Sequence, residues 1–222
     1  MRILVVVATK EEVMPLISDF GCSISDFEGS VCQLLTNNCQ LLVAGVGMVA
    51  TAFALGKQLA ANKYDLVLNL GIAGSFGRNI AIGELVEISQ DTIAELGAED
   101  DEMFLPIDKM GFGEATFYPS TNISNLYNLF NNFNLKKVTA ITVNTVHGND
   151  ASIKNVIERL NPQLESMEGA AFFYACKQMD VPCIQIRAVS NYVEKRNRDN
   201  WNIGLAIKNL NTFAIEFLKL YA

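Results

Sequence analysis

Apolar residues along this chain cluster in short runs that alternate with stretches of helical composition. Residues 2 to 8 form one β-branched run, the pattern of a buried strand. Thr9-Lys-Glu-Glu12 then matches the box of Thr followed three residues later by Glu that starts a helix. Runs at 31 to 35 and 40 to 45 predict two strands of a hairpin turning around Asn37-Asn38, residues that tolerate left-handed geometry. An Ala-rich stretch from 48 to 61 predicts a helix, and Leu66 to Leu70 a further buried strand running into Gly71-Ile-Ala-Gly74-Ser75, read as a second glycine turn. Residues 84 to 96 return to strand composition. Residues 97 to 119 mix Gly, Pro and acidic side chains without periodicity, which predicts a long loop of the kind that forms lids. The last third predicts strands at 136 to 143, 164 to 167 and 182 to 190, and helices at 151 to 160, 168 to 179 and 203 to 220. This layering implies an α/β fold, a single-domain three-layer α/β/α with a central mixed β-sheet over residues 1 to 222. No internal repeat, linker or low-complexity segment marks a second domain.

Composition narrows the function. Half of the 222 residues are hydrophobic, yet no apolar run reaches the ~18 to 20 residues of a bilayer span, so a soluble, cytoplasmic protein without a membrane partner is expected. The run Ile3 to Ala8 lacks a small-residue cleavage site and leads into a helix-like segment, unlike a signal peptide. A net charge of −7 disfavours a nucleic-acid partner, because phosphate-backbone binding draws on clustered Lys and Arg. Five cysteines, an odd number with no C-x-x-C pair, argue against a disulfide framework or zinc site, and the thiols are expected buried and reduced.

Several positions invite chemistry. Gly45-Val-Gly47-Met-Val-Ala50 fits a dinucleotide fingerprint, but it does not follow the first strand, and the next strand ends in Asn69-Leu70-Gly71 instead of an acidic residue. A tight strand-to-helix turn is the better reading, and two glycine segments at strand ends suggest a small-molecule pocket there. Glu12 has two open roles: completing the capping box, or facing that pocket as a base for water. Glu168 stands near a helix N-terminus, where dipole compensation alone would explain it, although the small residues Gly169-Ala-Ala171 beside it leave space. His147, the only histidine, reads as pocket wall, since no nucleophile triad assembles around it. Arg196 and Arg198, with Trp201, form the one cationic-aromatic cluster, either a solvated loop or an anchor for an anionic or aromatic substrate group.

The opening Met1-to-Val13 segment, Val43-Ala-Gly-Val-Gly47, Asn69-Leu-Gly-Ile-Ala-Gly74, Ser166-Met-Glu168 and Arg187-Ala-Val-Ser-Asn191 together resemble the nucleoside phosphorylase and nucleosidase superfamily from end to end. Glu165-Ser-Met-Glu-Gly-Ala-Ala-Phe-Phe173 and the segment from Asn191 to Trp201 resemble most closely its futalosine hydrolase family, of menaquinone biosynthesis. The resemblance implies that Glu12 activates the attacking water, that Met167 and Glu168 hold the ribose, and that Asn191 contacts the purine. Gly47, Ala73, Gly74, His147 and Ser166 would bound the substrate. Where adenine-releasing nucleosidases carry Asp, Asn191 suits a 6-oxopurine, whose negative charge spreads onto oxygen, so hypoxanthine is the expected base. Related phosphorylases carry an Arg before the turn that Asn69-Leu70 precedes here, which favours water over phosphate. An anionic carboxyphenyl tail would call for Arg196 or Arg198. The resemblance also implies a homo-oligomer, with residues 97 to 119 helping a neighbour complete the pocket, and no metal or organic cofactor. Ile72, in place of Ser, and His147, near the place of a base-stacking Phe, depart from the adenine-releasing pattern. The rival readings are a methylthioadenosine/S-adenosylhomocysteine or aminodeoxyfutalosine nucleosidase, a purine nucleoside phosphorylase, and a nucleoside-binding module without activity.

Overall fold

The computed structural model describes residues 1–21, 29–34, 38–120, 130 and 132–221. Its first strand, β1 (Ile3–Val7), is buried along its whole length. Because strand side chains alternate, Ile3, Val5 and Val7 join one apolar cluster and Leu4 and Val6 another. That division sets the layers. A 3-10 turn (Glu11–Val13) leads into α1 (Met14–Phe20), which packs on the first cluster. Strands β2 (Ser30–Gln33) and β3 (Cys39–Val43) pair antiparallel as the expected hairpin, with part of its turn, residues 35 to 37, outside the described residues.

Helix α2 (Met48–Ala61) returns the chain to the second face. Strand β4 (Leu66–Ser75) corrects the reading of residues 71 to 75 as a turn, because the strand continues through both glycines. The continuation is held by pairing: β11 (Cys183–Tyr192) runs parallel along the full length of β4, with a bulge between Val189 and Asn191. On the other edge β1 covers the first half of β4, and the short strand β10 (Leu164–Ser166) covers Gly74 and Ser75. Strand β5 (Leu85–Ile93) pairs antiparallel to β11 and parallel to β9 (Lys136–Thr142), which pairs in turn with β10. The mixed sheet therefore closes through β4, β11, β5, β9 and β10, while β1, β3 and β2 extend it as an open wing.

The expected loop at 97 to 119 is also corrected. It contains a hairpin of β6 (Gly97–Asp100) and β7 (Met103–Pro106), and β8 (Thr116–Phe117) pairs with β5. Such pairing needs no amphipathic periodicity, so the local pattern does not display it. Helix α3 (Asp150–Leu160) lies on a smaller cluster with Ile141 and Val143. Helix α4 (Gly169–Gln178) packs beside α2, with Phe172 and Phe173 buried, and α5 (Ile203–Tyr221) covers the opposite face through Leu210, Phe213 and Phe217. Cys39, Cys176 and Cys183 are free and buried as expected, whereas Cys32 is disulfide-bonded, which an odd cysteine count cannot exclude. Among the described residues no helix is long and apolar enough to cross a membrane.

Candidate active site

A cavity of about 310 Å³ opens where the chain leaves β1, β3, β9, β10 and β11, along the second half of β4. Glu12 reaches it from the 3-10 turn after β1 and is buried. Its Oε2 accepts the backbone N–H groups of Ala8 at 3.1 Å and Thr9 at 3.0 Å, and its Oε1 accepts that of Ile72 at 3.2 Å. The Thr9 bond is half of a capping box without the reciprocal side-chain cap, so the carboxylate both accepts from this turn and faces the cavity. Asn211 of α5 fixes this turn from behind, donating to the Glu12 carbonyl at 2.7 Å and accepting from Leu16 N–H at 3.0 Å. Burial raises the Glu12 pKa above its ordinary 4.5. The Thr9 N–H and the Arg187 guanidinium oppose the rise, and the Glu168 carboxylate adds to it.

Glu168 stands at the N-terminus of α4 without capping it. The helix is capped instead by Thr142, whose Oγ1 accepts Ala170 N–H at 2.7 Å, which leaves the Glu168 carboxylate free to face the cavity. Its Oε1 accepts Gly47 N–H at 3.0 Å, and its Oε2 lies 3.3 Å from Met167 N and 3.7 Å from Arg187 Nη1. Gly47 thus acts through Glu168, and its neighbour Val46 lines the cavity. Gly45 and Gly47, at φ of 97° and 91°, make the turn between β3 and α2 in a conformation other residues rarely adopt.

Arg187 is the hub beneath the pocket. It is 1% exposed, donates from Nε to Gln185 Oε1 at 2.8 Å and from Nη2 to Asn69 Oδ1 at 2.7 Å. Gln185 donates in turn to Asp91 Oδ2 at 3.2 Å, and Asp91 Oδ1 accepts the Thr142 hydroxyl at 2.7 Å. Burial pushes the Asp91 carboxyl up from 3.8 to about 6, against the hydrogen bond from Thr142 and the charge of Arg187. Two glycines make room: a Cβ on Gly71 would sit 2.0 Å from Arg187 Nη1, and one on Gly169 would sit 2.0 Å from Asp91 Oδ2.

At the far end of the cavity Asn191 follows the β11 bulge. The Ser190 hydroxyl lies 2.8 Å from its Oδ1, and its Nδ2 donates to the Tyr192 carbonyl at 3.1 Å, leaving one amide N–H unused. His147, after β9, has its Nδ1 2.6 Å from Glu165 Oε2, while Glu165 Oε1 accepts the His147 backbone N–H at 3.0 Å. Burial raises the Glu165 pKa, and the contacts with His147 lower it.

Of the other expected positions, Ala73, Gly74, Ser166, Met167 and Arg196 line the cavity, and Arg198 does not. Arg196 and Arg198 both lie over the Trp201 ring, at 5.1 and 6.0 Å. Sequence reasoning assigns no role to Asp91, Gln185 or Arg187. A signal exists in β11, where Gln185 and Arg187 alternate with Ile184 and Ile186 and so place polar groups on one side of a buried strand.

The phosphorylase superfamily profile matches residues 2–220. Among curated relatives, the chain is 33% identical to futalosine hydrolase of Streptomyces coelicolor over 82% of this chain and 79% of that protein. It is 27% identical to 5'-methylthioadenosine/S-adenosylhomocysteine nucleosidase of Haemophilus ducreyi over 79% of this chain and 74% of that protein. The native structure of futalosine hydrolase of Helicobacter pylori superposes with a TM-score of 0.84 at 17% identity, covering 99% of this chain and 98% of that one, which shows a shared fold. The chain belongs to the phosphorylase superfamily, and within it to the family of the futalosine hydrolases.

Proposed function

We propose that this chain hydrolyses the N-glycosidic bond of futalosine, releasing hypoxanthine and dehypoxanthine futalosine. Water forms the new bond to the anomeric carbon as the bond to N9 breaks. Glu12 takes the proton from that water, and the electron pair leaves with the base. Oxocarbenium character develops on the sugar and negative charge on the purine, and each needs its own partner. Glu168, with Met167 beside it, suits the ribose. Its oxygens already accept Gly47 and Met167 N–H groups, and a carboxylate with about four lone-pair sites has capacity left for sugar hydroxyls. Asn191, its Oδ1 taken by the Ser190 hydroxyl, keeps an amide N–H for the oxygen or N7 of a 6-oxopurine.

The observation that carries hydrolysis over phosphorolysis is the charge of the cavity. Four carboxylates line it, Glu12, Glu165, Glu168 and Glu194, against Arg196 as the only Arg or Lys among the described lining residues. Arg187 is committed to Asn69, Gln185 and Glu168. A phosphate dianion meets repulsion here, while a neutral water does not. Arg196 is the better candidate for a substrate carboxylate than Arg198, because it reaches the cavity. Arg196→Ala is expected to raise KM for futalosine about tenfold, the loss of one charge-assisted hydrogen bond, and to leave inosine unaffected.

The enzyme is proposed to act as a cytoplasmic homo-oligomer. Val49 and Phe53, 82% and 73% exposed on α2, form an apolar patch next to Val46 at the cavity rim, which favours a protein neighbour there. The free thiols Cys39, Cys176 and Cys183 favour a reducing compartment, and the Cys32 disulfide counts on the other side. Incubation with futalosine, inosine and methylthioadenosine, with and without phosphate, tests the function. Hypoxanthine released from futalosine without phosphate is the expected result. Adenine release from methylthioadenosine at a higher rate, a requirement for phosphate, or saturable binding with no base released would overturn it.

A further inference from the structure

Glu165 spends both carboxylate oxygens on one residue. Oε1 accepts the backbone N–H of His147 and Oε2 meets Nδ1 of its ring at 2.6 Å, all within a buried setting. The second ring nitrogen, Nε2, makes no hydrogen bond among the described residues. It is not sealed away either, since Thr51 Oγ1 is the one described buried side-chain polar atom without a partner. His147 lines the cavity, and its ring packs in a T-shaped arrangement with Phe76, with centroids 6.2 Å apart. The pair also sits at the same end as Asn191. A Cβ on Gly74 would lie 3.3 Å from Asn191 Nδ2 and 3.6 Å from Glu165 Cγ, so the two groups flank one glycine of β4.

We propose that Glu165 is a positioning residue that holds His147 with its proton on Nδ1, so that the free Nε2 accepts the N1–H of a 6-oxopurine and the pair selects the base. The proposal rests on the nucleosidase reading above. A 6-oxopurine carries a donor at N1, whereas a 6-aminopurine carries a lone pair there. The Nε2 lone pair therefore pairs with the first and opposes the second. The contact exists both in the bound nucleoside and in the departing base, so it acts on binding and not on the chemical step.

The geometry makes one substitution diagnostic. In Glu165→Gln the backbone N–H of His147 still requires an acceptor, so the amide oxygen must take that place and the NH2 group must face Nδ1. Nδ1 then becomes the acceptor and the ring proton moves to Nε2. The variant thus inverts what the ring offers the base, whereas His147→Phe only deletes it.

The chain has a single histidine, so the 15N spectrum of the ring in the untagged, labelled protein reports the tautomer without assignment. The wild type is expected protonated at Nδ1, and Glu165→Gln at Nε2. In parallel, KM and kcat are measured for a 6-oxopurine nucleoside and its 6-amino analogue. Glu165→Gln is expected to raise KM for the oxo substrate about tenfold, the cost of one lost hydrogen bond, to lower it for the amino analogue, and to leave kcat for the oxo substrate within about threefold. His147→Phe should raise the oxo KM and lower the amino KM less than Glu165→Gln does, because it removes the opposing lone pair without supplying a donor. A wild-type ring protonated at Nε2 or at both nitrogens, or a KM ratio unchanged in Glu165→Gln, would overturn the proposal. If Glu165→Gln fails to fold, the wild-type spectrum still decides. A wild type that releases no base from any nucleoside defeats the nucleosidase reading, and the spectrum then reports separately on the pair.

Discussion

Replacing Gly71 by Ala tests whether the buried arginine is the element that organises the site. The new methyl would lie 2.0 Å from Arg187 Nη1 and 3.2 Å from Glu12 Oε1. Non-bonded contact requires about 3.5 Å, so the guanidinium must retreat by roughly 1.5 Å. Arg187 has no open space to retreat into, being 1% exposed, and its bonds to Asn69 and Gln185 are only 2.7 and 2.8 Å long. A displacement of that size breaks at least one of them and moves the charge that Glu12 and Glu168 share. Hydrogen bonds to charged groups contribute about 1.5 to 3 kcal/mol, and broken buried ion pairs cost about 3 to 5, so a loss near 3 kcal/mol is expected. Misplacement of the proposed catalytic carboxylates, Glu12 and Glu168, by about 1 Å should lower kcat/KM about 100-fold. Urea unfolding and steady-state kinetics measure both. Gly56→Ala is the control, because Gly56 lies in α2 with nothing within 4 Å of the added carbon, and it should stabilise by about 0.5 to 1 kcal/mol. A Gly71→Ala protein that unfolds within about 1 kcal/mol of wild type, with kcat/KM intact, would refute the reasoning.

Four further outcomes follow from the same geometry. Glu12→Gln should lower kcat about 1000-fold, as expected for loss of a general base, and should cost about 1 to 3 kcal/mol of stability, because its amide NH2 must face a backbone N–H that a carboxylate oxygen accepts. Because Glu12 works ionised and burial raises its pKa, wild-type kcat/KM should fall on acidification with a midpoint above 4.5, and a midpoint at or below that value would contradict the assignment. Asp91, with its carboxyl raised from 3.8 to about 6, favours the folded state below the lower value and loses that advantage as pH rises through the upper one. Asn cannot ionise, so the stability of wild type relative to Asp91→Asn should decline by about 2 kcal/mol between pH 4 and pH 8, measured by urea unfolding. A difference that grows in favour of wild type over that range would exclude a destabilising buried carboxylate. Asn191→Asp, which supplies an acid where the amide stood, should shift kcat/KM toward 6-amino nucleosides, and an unchanged preference would remove Asn191 from base recognition.

Much of the framework is legible in the order of residues along the chain. Alternation in β1 assigns Ile3, Val5 and Val7 to one layer and Leu4 and Val6 to the other, and the composition of residues 48 to 61 matches α2. Local periodicity suffices there, because a strand or helix buries whichever face is apolar. The positions of Glu12, Glu168 and Asn191 are also readable, since short segments around them carry the family resemblance. Their surroundings are not. Gly71 and Gly74 look like turn residues locally, and only pairing with β11 and β10 draws them into a strand whose missing side chains admit Arg187 and leave room beside Asn191. The hairpin within residues 97 to 119 and the partners of Arg187, 118 positions away at Asn69 and nearly as far from Asp91 through Gln185, depend on contacts between distant parts of the chain. The layers and the identity of the acidic groups thus follow from local pattern. What each group touches follows from the folded arrangement, because hydrogen bonds and charge act through distance in space, and sequence separation does not limit them.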